Sequence, residues 1–109
     1  MQKKQKNEAM AVVRNIGALL RKEGVPVRSM FLFGSHAKGS AHTWSDIDVA
    51  VVHDAFLPSR GKEKSLLFEK GKTVHLRVEL LSFRPEDLQN RYSAIAQEVQ
   101  RSGVPVADA

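Results

Sequence analysis

The sequence contains no cysteine, and this absence excludes two kinds of site. Without thiols the chain can form neither a disulfide bond nor a cysteine-ligated zinc site. It also lacks an apolar run long enough to span a bilayer, and no apolar stretch follows the N-terminal lysines as it would in a signal peptide. We therefore predict a cytoplasmic protein, in a compartment where disulfides are rare.

The chain is short, which limits it to one modest core. Its 109 residues suffice for a single domain, predicted to span residues 1–109 with a flexible polar start over residues 1–6. A second domain that would bind an acceptor molecule is not expected within this length. The only tryptophan, Trp44, is predicted to pack half-buried or to stack on a base.

Positive charge is concentrated at the N-terminal end. The first 28 residues contain seven Lys or Arg and two Glu, so they account for the whole net charge of +5, while the remaining charges balance. Such a basic patch can attract nucleic acid or an acidic partner. A solvated helix face is the commoner explanation, so nucleic-acid binding is only a secondary expectation.

Hydrophobic spacing in the first half of the chain predicts a helix followed by strands. Apolar residues recur at helical spacing over residues 7–23, and Gly24 is expected to end this helix in a left-handed cap. Strands are predicted over residues 27–33 and 47–52, with a short helix at 35–40 and a polar loop at 41–45 between them.

The second half is more ambiguous. Residues 62–70 are predicted to form a short helix, or alternatively the first arm of a hairpin that turns at Lys70-Gly71. A long strand is predicted over residues 73–83, and a helical region from Pro85 that breaks near Asn90. A last helix over residues 92–101 would direct Ile95 and Val99 inward, be capped by Gly103 and precede a short edge strand at 104–106.

This order of elements predicts an α/β (α+β) fold, a small mixed β-sheet flanked by helices. The four histidines show no metal-ligand spacing and are expected to be polar residues of the surface or of a cleft. They are His36, His42, His53 and His75.

Two aspartates open the second predicted strand. Side chains alternate across a strand, so Asp46 and Asp48 point to the same face, while Ile47 points to the other. Two like charges on one strand face repel each other unless a cation lies between them. Magnesium prefers oxygen ligands and is often held by one or two carboxylates together with substrate phosphates.

A glycine-serine turn ends the first predicted strand. Gly34 permits close approach of the backbone to a ligand, and the Ser35 hydroxyl adds a hydrogen-bond donor. If a helix begins at Ser35, its free N–H groups favour an anion, and Lys38 lies one turn further on. The turn is therefore a predicted phosphate site.

Glu79, on the third predicted strand, supplies a third acid if that strand lies beside the one with Asp46 and Asp48. Three carboxylates can hold two metal ions in the arrangement used for in-line nucleotidyl transfer. Glu79 is then also a candidate general base.

These residues together resemble a known signature. The segments Phe33-Gly34-Ser35-His36-Ala37-Lys38-Gly39 and Trp44-Ser45-Asp46-Ile47-Asp48-Val49-Ala50-Val51-Val52 are similar to the signature of the minimal nucleotidyltransferases of the DNA polymerase β-type superfamily. The looser resemblance covers about residues 8–106. It implies a nucleotidyltransferase fold and an enzyme of that class. Lys38 stands where arginine is frequent, and Glu79 where many relatives have aspartate.

The resemblance also implies roles for individual residues. The catalytic and metal-binding residues would be Asp46, Asp48 and Glu79, with Mg²⁺ as cofactor, expected as two ions, and ATP as donor. The nucleotide-binding residues would be Gly34, Ser35, Lys38 and Ser45.

Relatives of this size resemble the antitoxin of a two-protein system whose partner is a HEPN-domain ribonuclease toxin. The resemblance implies transfer of AMP from ATP to a tyrosine of that partner, which would supply the acceptor. The alternative is a catalytically weak or inactive module that neutralises the toxin by direct contact.

Overall fold

The computed structural model describes residues 2–41 and 45–106. The protein is built around a four-stranded sheet with helices on both faces. The strand order is β3-β2-β1-β4, with β1 antiparallel to β2 and β4, and β2 parallel to β3. The predicted mixed sheet flanked by helices is confirmed. In chain order the elements are α1 (Gln2–Lys22), β1 (Val27–Phe33), α2 (Gly34–Lys38), β2 (Ile47–His53), α3 (Arg60–Val74), β3 (Val78–Phe83), α4 (Pro85–Leu88), α5 (Ala94–Ser102) and β4 (Val104–Pro105).

The sheet separates two apolar clusters. Helices α1 and α3 cover one face, where Leu32, Val49 and Leu80 are fully or almost fully buried. Helix α5 covers the other face, where Ala96 and Val99 pack with aromatic and small residues of the strands. Alternate residues of β2 therefore enter opposite clusters, as the strand period requires.

Helix α1 begins at Gln2, five residues earlier than predicted, so residues 2–6 are part of the helix. Lys and Gln favour helix without adding an apolar stripe, which is why hydrophobic spacing missed this extension. The predicted end is confirmed, since Gly24 adopts a left-handed φ of 86°. No helix in the described part of the chain has the length and hydropathy needed to cross a membrane.

The boundary between α3 and β3 differs from the prediction. The helix preferred for residues 62–70 is confirmed and the hairpin at Lys70-Gly71 is wrong, because α3 continues to Val74. The strand begins only at Val78, and Leu76, predicted within it, is 83% exposed. Gly71 lies inside the helix, at a position where a Cβ would be 2.9 Å from side-chain atoms of Val78 and Leu80. It permits close packing of α3 on β3 and does not form a turn.

The last helix is shifted by two residues from its predicted start. Ser93 caps α5, accepting a hydrogen bond from the Ala96 amide at 3.2 Å. Ala96 and Val99 point inward, whereas Ile95, predicted to be buried, is 44% exposed. The break before it and the edge strand β4 are confirmed, with β4 pairing with β1.

Candidate active site

The turn between β1 and α2 places backbone directly beside a carboxylate. Gly34 has a φ of 72°, and a Cβ built on it would lie 2.2 Å from Oδ2 of Asp48. Glycine is therefore required here both for its backbone conformation and for space. Ser35 follows half-buried in α2, which ends at Gly39 in a left-handed conformation with φ of 77°. The predicted phosphate turn thus lies against the predicted metal ligand Asp48.

The strand register brings two predicted acids together. Asp48 is paired with Phe33 on one side and with Glu79 on the other, so it lies between the end of β1 and the start of β3. The side chains of Asp48 and Glu79 lie within hydrogen-bonding reach of each other, and this interaction favours the protonated form of Asp48.

Asp48 has a perturbed acidity. Burial raises the pKa of Asp48 to about 7, assisted by the hydrogen bond and charge of Glu79 and by the charges of Asp46 and Glu98. Every charged neighbour that contributes to this pKa shift is acidic. Near neutral pH Asp48 is therefore partly protonated, at a position where a cation could bind instead.

Asp46 lies one residue before β2 and its side chain is exposed. Its position is fixed through the backbone, because His36 Nδ1 donates to the Asp46 carbonyl at 3.0 Å. His36 is only 6% exposed and lines a cavity, so of the two expected settings, surface or cleft, it has the second. The buried imidazole links α2 to the segment that carries Asp46, which couples the phosphate turn to the carboxylates.

The other two predicted nucleotide-binding residues have different surroundings. Lys38 is exposed, and its Nζ lies 4.0 Å from Oε2 of Glu98 on α5. Ser45 lines a cavity of about 410 Å³ beneath α1, together with His36, Ile47 and Arg77, on the face of the sheet opposite Asp48. Trp44 and His42 lie outside the described residues.

Comparisons with known proteins agree with this geometry. The sequence model of the family described as "Nucleotidyltransferase domain" matches residues 14–107. The chain belongs to the nucleotidyltransferase domain family. The resemblance and the enzyme class predicted for the chain are thereby confirmed. No curated protein matches the sequence significantly.

Solved structures show the same nucleotidyltransferase fold. A predicted nucleotidyltransferase from Sulfolobus solfataricus is 12% identical with a TM-score of 0.68, over 95% of this chain and 84% of that one. A chain from a toxin–antitoxin structure with AMP-PNP is 23% identical with a TM-score of 0.64, over 92% and 73%. A chain from the tri-AMPylated Shewanella oneidensis HEPN toxin in complex with MNT antitoxin is 21% identical with a TM-score of 0.54, over 100% and 74%. The chain thus shares its fold with the nucleotidyltransferase chains of these structures.

The donor chemistry of this nucleotidyltransferase domain fits a hard divalent cation. Adjoining carboxylate oxygens from Asp48 and Glu79 are ligands that Mg²⁺ prefers, and the acidic surroundings of Asp48 favour any cation. Within residues 2–41 and 45–106, however, no three His, Asp or Glu side chains already form a ligand set. At least one of the three acids must therefore move if all of them are to share an ion.

Sequence patterns did not single out Glu98. Its charge contributes to the raised pKa of Asp48, although fifty residues separate them in the chain. Helical spacing identified α5 but could not show that α5 packs against α2, the contact that brings Glu98 to the site. Glu98 is therefore a fourth acid beside the predicted nucleotide site. It also competes with the nucleotide phosphates for Lys38.

Proposed function

We propose that this nucleotidyltransferase domain transfers AMP from ATP to an acceptor on a partner protein in a Mg²⁺-dependent reaction. The observation that carries the proposal is the contact between the Gly34 turn and the Asp48–Glu79 pair. A phosphate-binding turn and a cation-binding pair of carboxylates at one point are what nucleotidyl transfer requires. The acceptor oxygen forms a bond to the α-phosphorus, and the bond to pyrophosphate breaks.

Each predicted residue has a defined part in this proposal. The backbone at Gly34 and the Ser35 hydroxyl hold the phosphates, with Lys38 and Ser45 as additional nucleotide contacts. Asp46, Asp48 and Glu79 would hold one or two Mg²⁺ ions, which supply charge neutralisation of the phosphates. Glu79 accepts the proton of the acceptor hydroxyl.

A HEPN-type toxin is the acceptor that the comparisons favour. One similar structure contains a tri-AMPylated HEPN toxin with MNT antitoxin, and another contains AMP-PNP. We propose that residues 1–109 act as one domain in the cytoplasm, and that the acceptor is provided by this second protein.

The direct test is transfer of label from ATP. The protein is incubated with Mg²⁺, labelled ATP and the product of its neighbouring gene, and label on that product is measured. Asp48→Asn should reduce transfer at least about a hundredfold, because it removes a carboxylate that would hold the Mg²⁺ needed to neutralise the phosphates. Asp54→Asn is the matched control, since Asp54 is exposed and pairs with Arg28 away from the site. Equal transfer by the Asp48→Asn protein would rule out the proposed site.

The observed geometry also supports a second function, neutralisation of a toxin by contact with a weak or inactive site. The supporting observation is that Asp48 hydrogen-bonds Glu79, while no three-ligand set is present in the described residues. Toxin neutralisation by the Asp46→Asn and Asp48→Asn proteins separates the two functions. Full neutralisation without transfer supports the contact mechanism, and loss of both supports catalysis.

A further inference from the structure

A groove runs along the free edge of β3, at the other side of the sheet from β4. It has a volume of about 410 Å³ and is called here the edge groove. Its walls come from α3 on one face of the sheet and α5 on the other, and β3 forms its floor. Its lining includes Lys64 and Phe68 of α3, Leu80, Leu81 and Ser82 of β3, and Ile95 of α5.

The floor of the edge groove carries outward-facing backbone groups. The Ile47 amide donates to the Arg77 carbonyl at 2.8 Å, which sets the phase of the parallel ladder between β2 and β3. Every second residue of β3 then bonds to β2, so the amides and carbonyls of Leu80 and Ser82 point away from it. In the described ranges no strand lies beyond β3.

The walls are apolar on both sides of that floor. Phe68 is 42% exposed and Ile95 is 44% exposed, and they stand on opposite faces of the sheet. In the floor of the groove, the side chain of Leu80 points to the α3 face and that of Leu81 to the α5 face. A strand added here would therefore have apolar contacts for both its odd and its even side chains.

The two edges of the sheet are protected differently. The outer edge of β1 is covered over Phe31 and Leu32 by β4, which contains Pro105 and so limits further pairing. Strand β3, with the sequence VELLSF, contains no proline or lysine. Exposed apolar edges of this kind are ordinarily covered, because they otherwise pair with other chains.

We propose that the edge groove receives an extended apolar segment of another protein, which pairs with β3 as a fifth strand and carries acidic residues at its flank. Backbone groups at Leu80 and Ser82 would supply the hydrogen bonds, and the Phe68 and Ile95 walls the side-chain contacts. Lys64 lines the groove, and Lys72 Nζ lies 5.2 Å from the Phe68 ring, so the α3 rim is basic. The positive charge of this rim favours a segment with acidic residues at its flank.

A second copy of this chain is disfavoured in the edge groove by its charge. Each copy would bring Lys64 and Lys72 to the contact, so basic side chains would face basic side chains. The occupant is therefore a free strand of a different protein. The inference uses none of the site carboxylates.

The test uses a synthetic peptide of alternating valine and isoleucine flanked by glutamates. Its titration into the ¹⁵N-labelled full chain should shift the Leu80 and Ser82 amides and protect them from hydrogen exchange. Phe68→Ala and Ile95→Ala should each weaken binding about fivefold or more, as expected for an anchor in an interface. Leu76→Ala is the matched control, because Leu76 is exposed but lies outside the groove.

Two further comparisons test the mode and the charge of binding. The same peptide with alternate backbone nitrogens methylated should not bind, since it lacks the donors for a strand ladder. Lys64→Glu should weaken binding, while Lys62→Glu, also exposed on α3 but outside the groove, should not. Equal binding of the methylated peptide, no binding of the parent peptide, or a dimer of this chain abolished by Phe68→Ala would each overturn the proposal. Asp48→Asn should leave binding unchanged, which separates this result from the nucleotidyl-transfer assay.

Discussion

Two carboxylates at opposite ends of the β2–β3 strand pair have opposite surroundings. Glu63 of α3 is fully buried beyond the carboxyl ends of these strands. It accepts hydrogen bonds from the Phe56 and Leu57 amides at 2.8 and 3.2 Å and from Arg84 Nε at 2.9 Å. Asp48, at the other end, hydrogen-bonds Glu79 and is influenced by further acids.

The acidities of the two groups reflect these partners. Burial alone would raise the pKa of Glu63, but the Arg84 guanidinium and the two amides outweigh it and lower the pKa to about 2. Burial raises the pKa of Asp48 to about 7, and its acidic neighbours add to the effect. A carboxylate whose partners are supplied by the fold is structural, whereas one surrounded by acids is left for a ligand to satisfy.

Removing the structural carboxylate should have the largest effect on stability. Glu63→Ala leaves Arg84 and two amides without their acceptor, and we expect the free energy of unfolding to fall by about 2–3 kcal/mol. Denaturant unfolding measures it. Glu69→Ala, exposed on the same helix, should change stability little. Equal losses in the two proteins would show that the buried pair is not important for the fold.

Filling the space beside Asp48 should have the second-largest effect on stability. Gly34→Ala forces a Cβ against the Asp48 carboxylate and strains a positive φ, so we expect about 1–2 kcal/mol of destabilisation and weaker ATP binding. Gly24→Ala is the matched control, because Gly24 has a φ of 86° but no atom within 4 Å of its Cβ position. Calorimetric titration should show reduced ATP affinity for Gly34→Ala alone. Similar ATP affinity in both variants would contradict a nucleotide site at this turn.

The two carboxylates should give stability opposite slopes with pH. The pKa of Glu63 is lowered from 4.5 to about 2, so the unfolded chain binds more protons in that window and stability rises with pH. The pKa of Asp48 is raised from 3.8 to about 7, so the folded chain binds more protons and stability falls as pH rises through that window. Urea unfolding at a series of pH values measures both slopes.

Magnesium provides the control for this pH profile. Because a cation replaces the proton of the Asp48–Glu79 pair, Mg²⁺ should reduce the decline towards pH 7 and leave the acid-side slope from Glu63 unchanged. An identical profile with and without Mg²⁺ would be evidence against a cation at the pair.

Neutralising Asp48 should have the smallest effect on the free energy of unfolding. This effect should be a stabilisation, whereas the loss of Glu63 destabilises the fold. Asp48→Asn removes repulsion with Glu79 while keeping a hydrogen-bonding side chain, so stability above pH 7 should increase by less than about 1 kcal/mol after allowance for solvent screening. The gain should vanish near pH 4. Destabilisation of this variant would mean that Asp48 has a structural role instead.

Local patterns were sufficient for the first half of the site. The strand before Gly34, the turn itself and the alternation that places Asp46 and Asp48 on one face depend on neighbouring residues, so the sequence could reveal them. Its place on the third predicted strand also indicated Glu79 as a candidate acid. Only the parallel register with β2 shows that it pairs with Asp48.

The remaining features depend on contacts between distant segments. His53 was expected to be a surface or cleft residue but is fully buried, with Nε2 2.5 Å from the Ser82 hydroxyl. The burial of Glu63 and the approach of Glu98 to the site likewise require knowledge of which helices pack together. Gly71 suggested the hairpin alternative, which is wrong, because a glycine that permits helix–strand contact cannot be distinguished in sequence from a turn glycine.

The register of β2 with its two neighbours has a consequence for the order of folding. The β1–β2 pairing closes over the short segment 34–46, whereas the β2–β3 pairing must wait for the crossover through α3. Contacts distant in the chain form more slowly than local ones, so we expect the strand with Glu79 to dock late. The phosphate turn and Asp48 would then be in place before the third acid arrives, and the electrostatic cost of bringing the acids together would fall on a folding step in which most of the core is already formed.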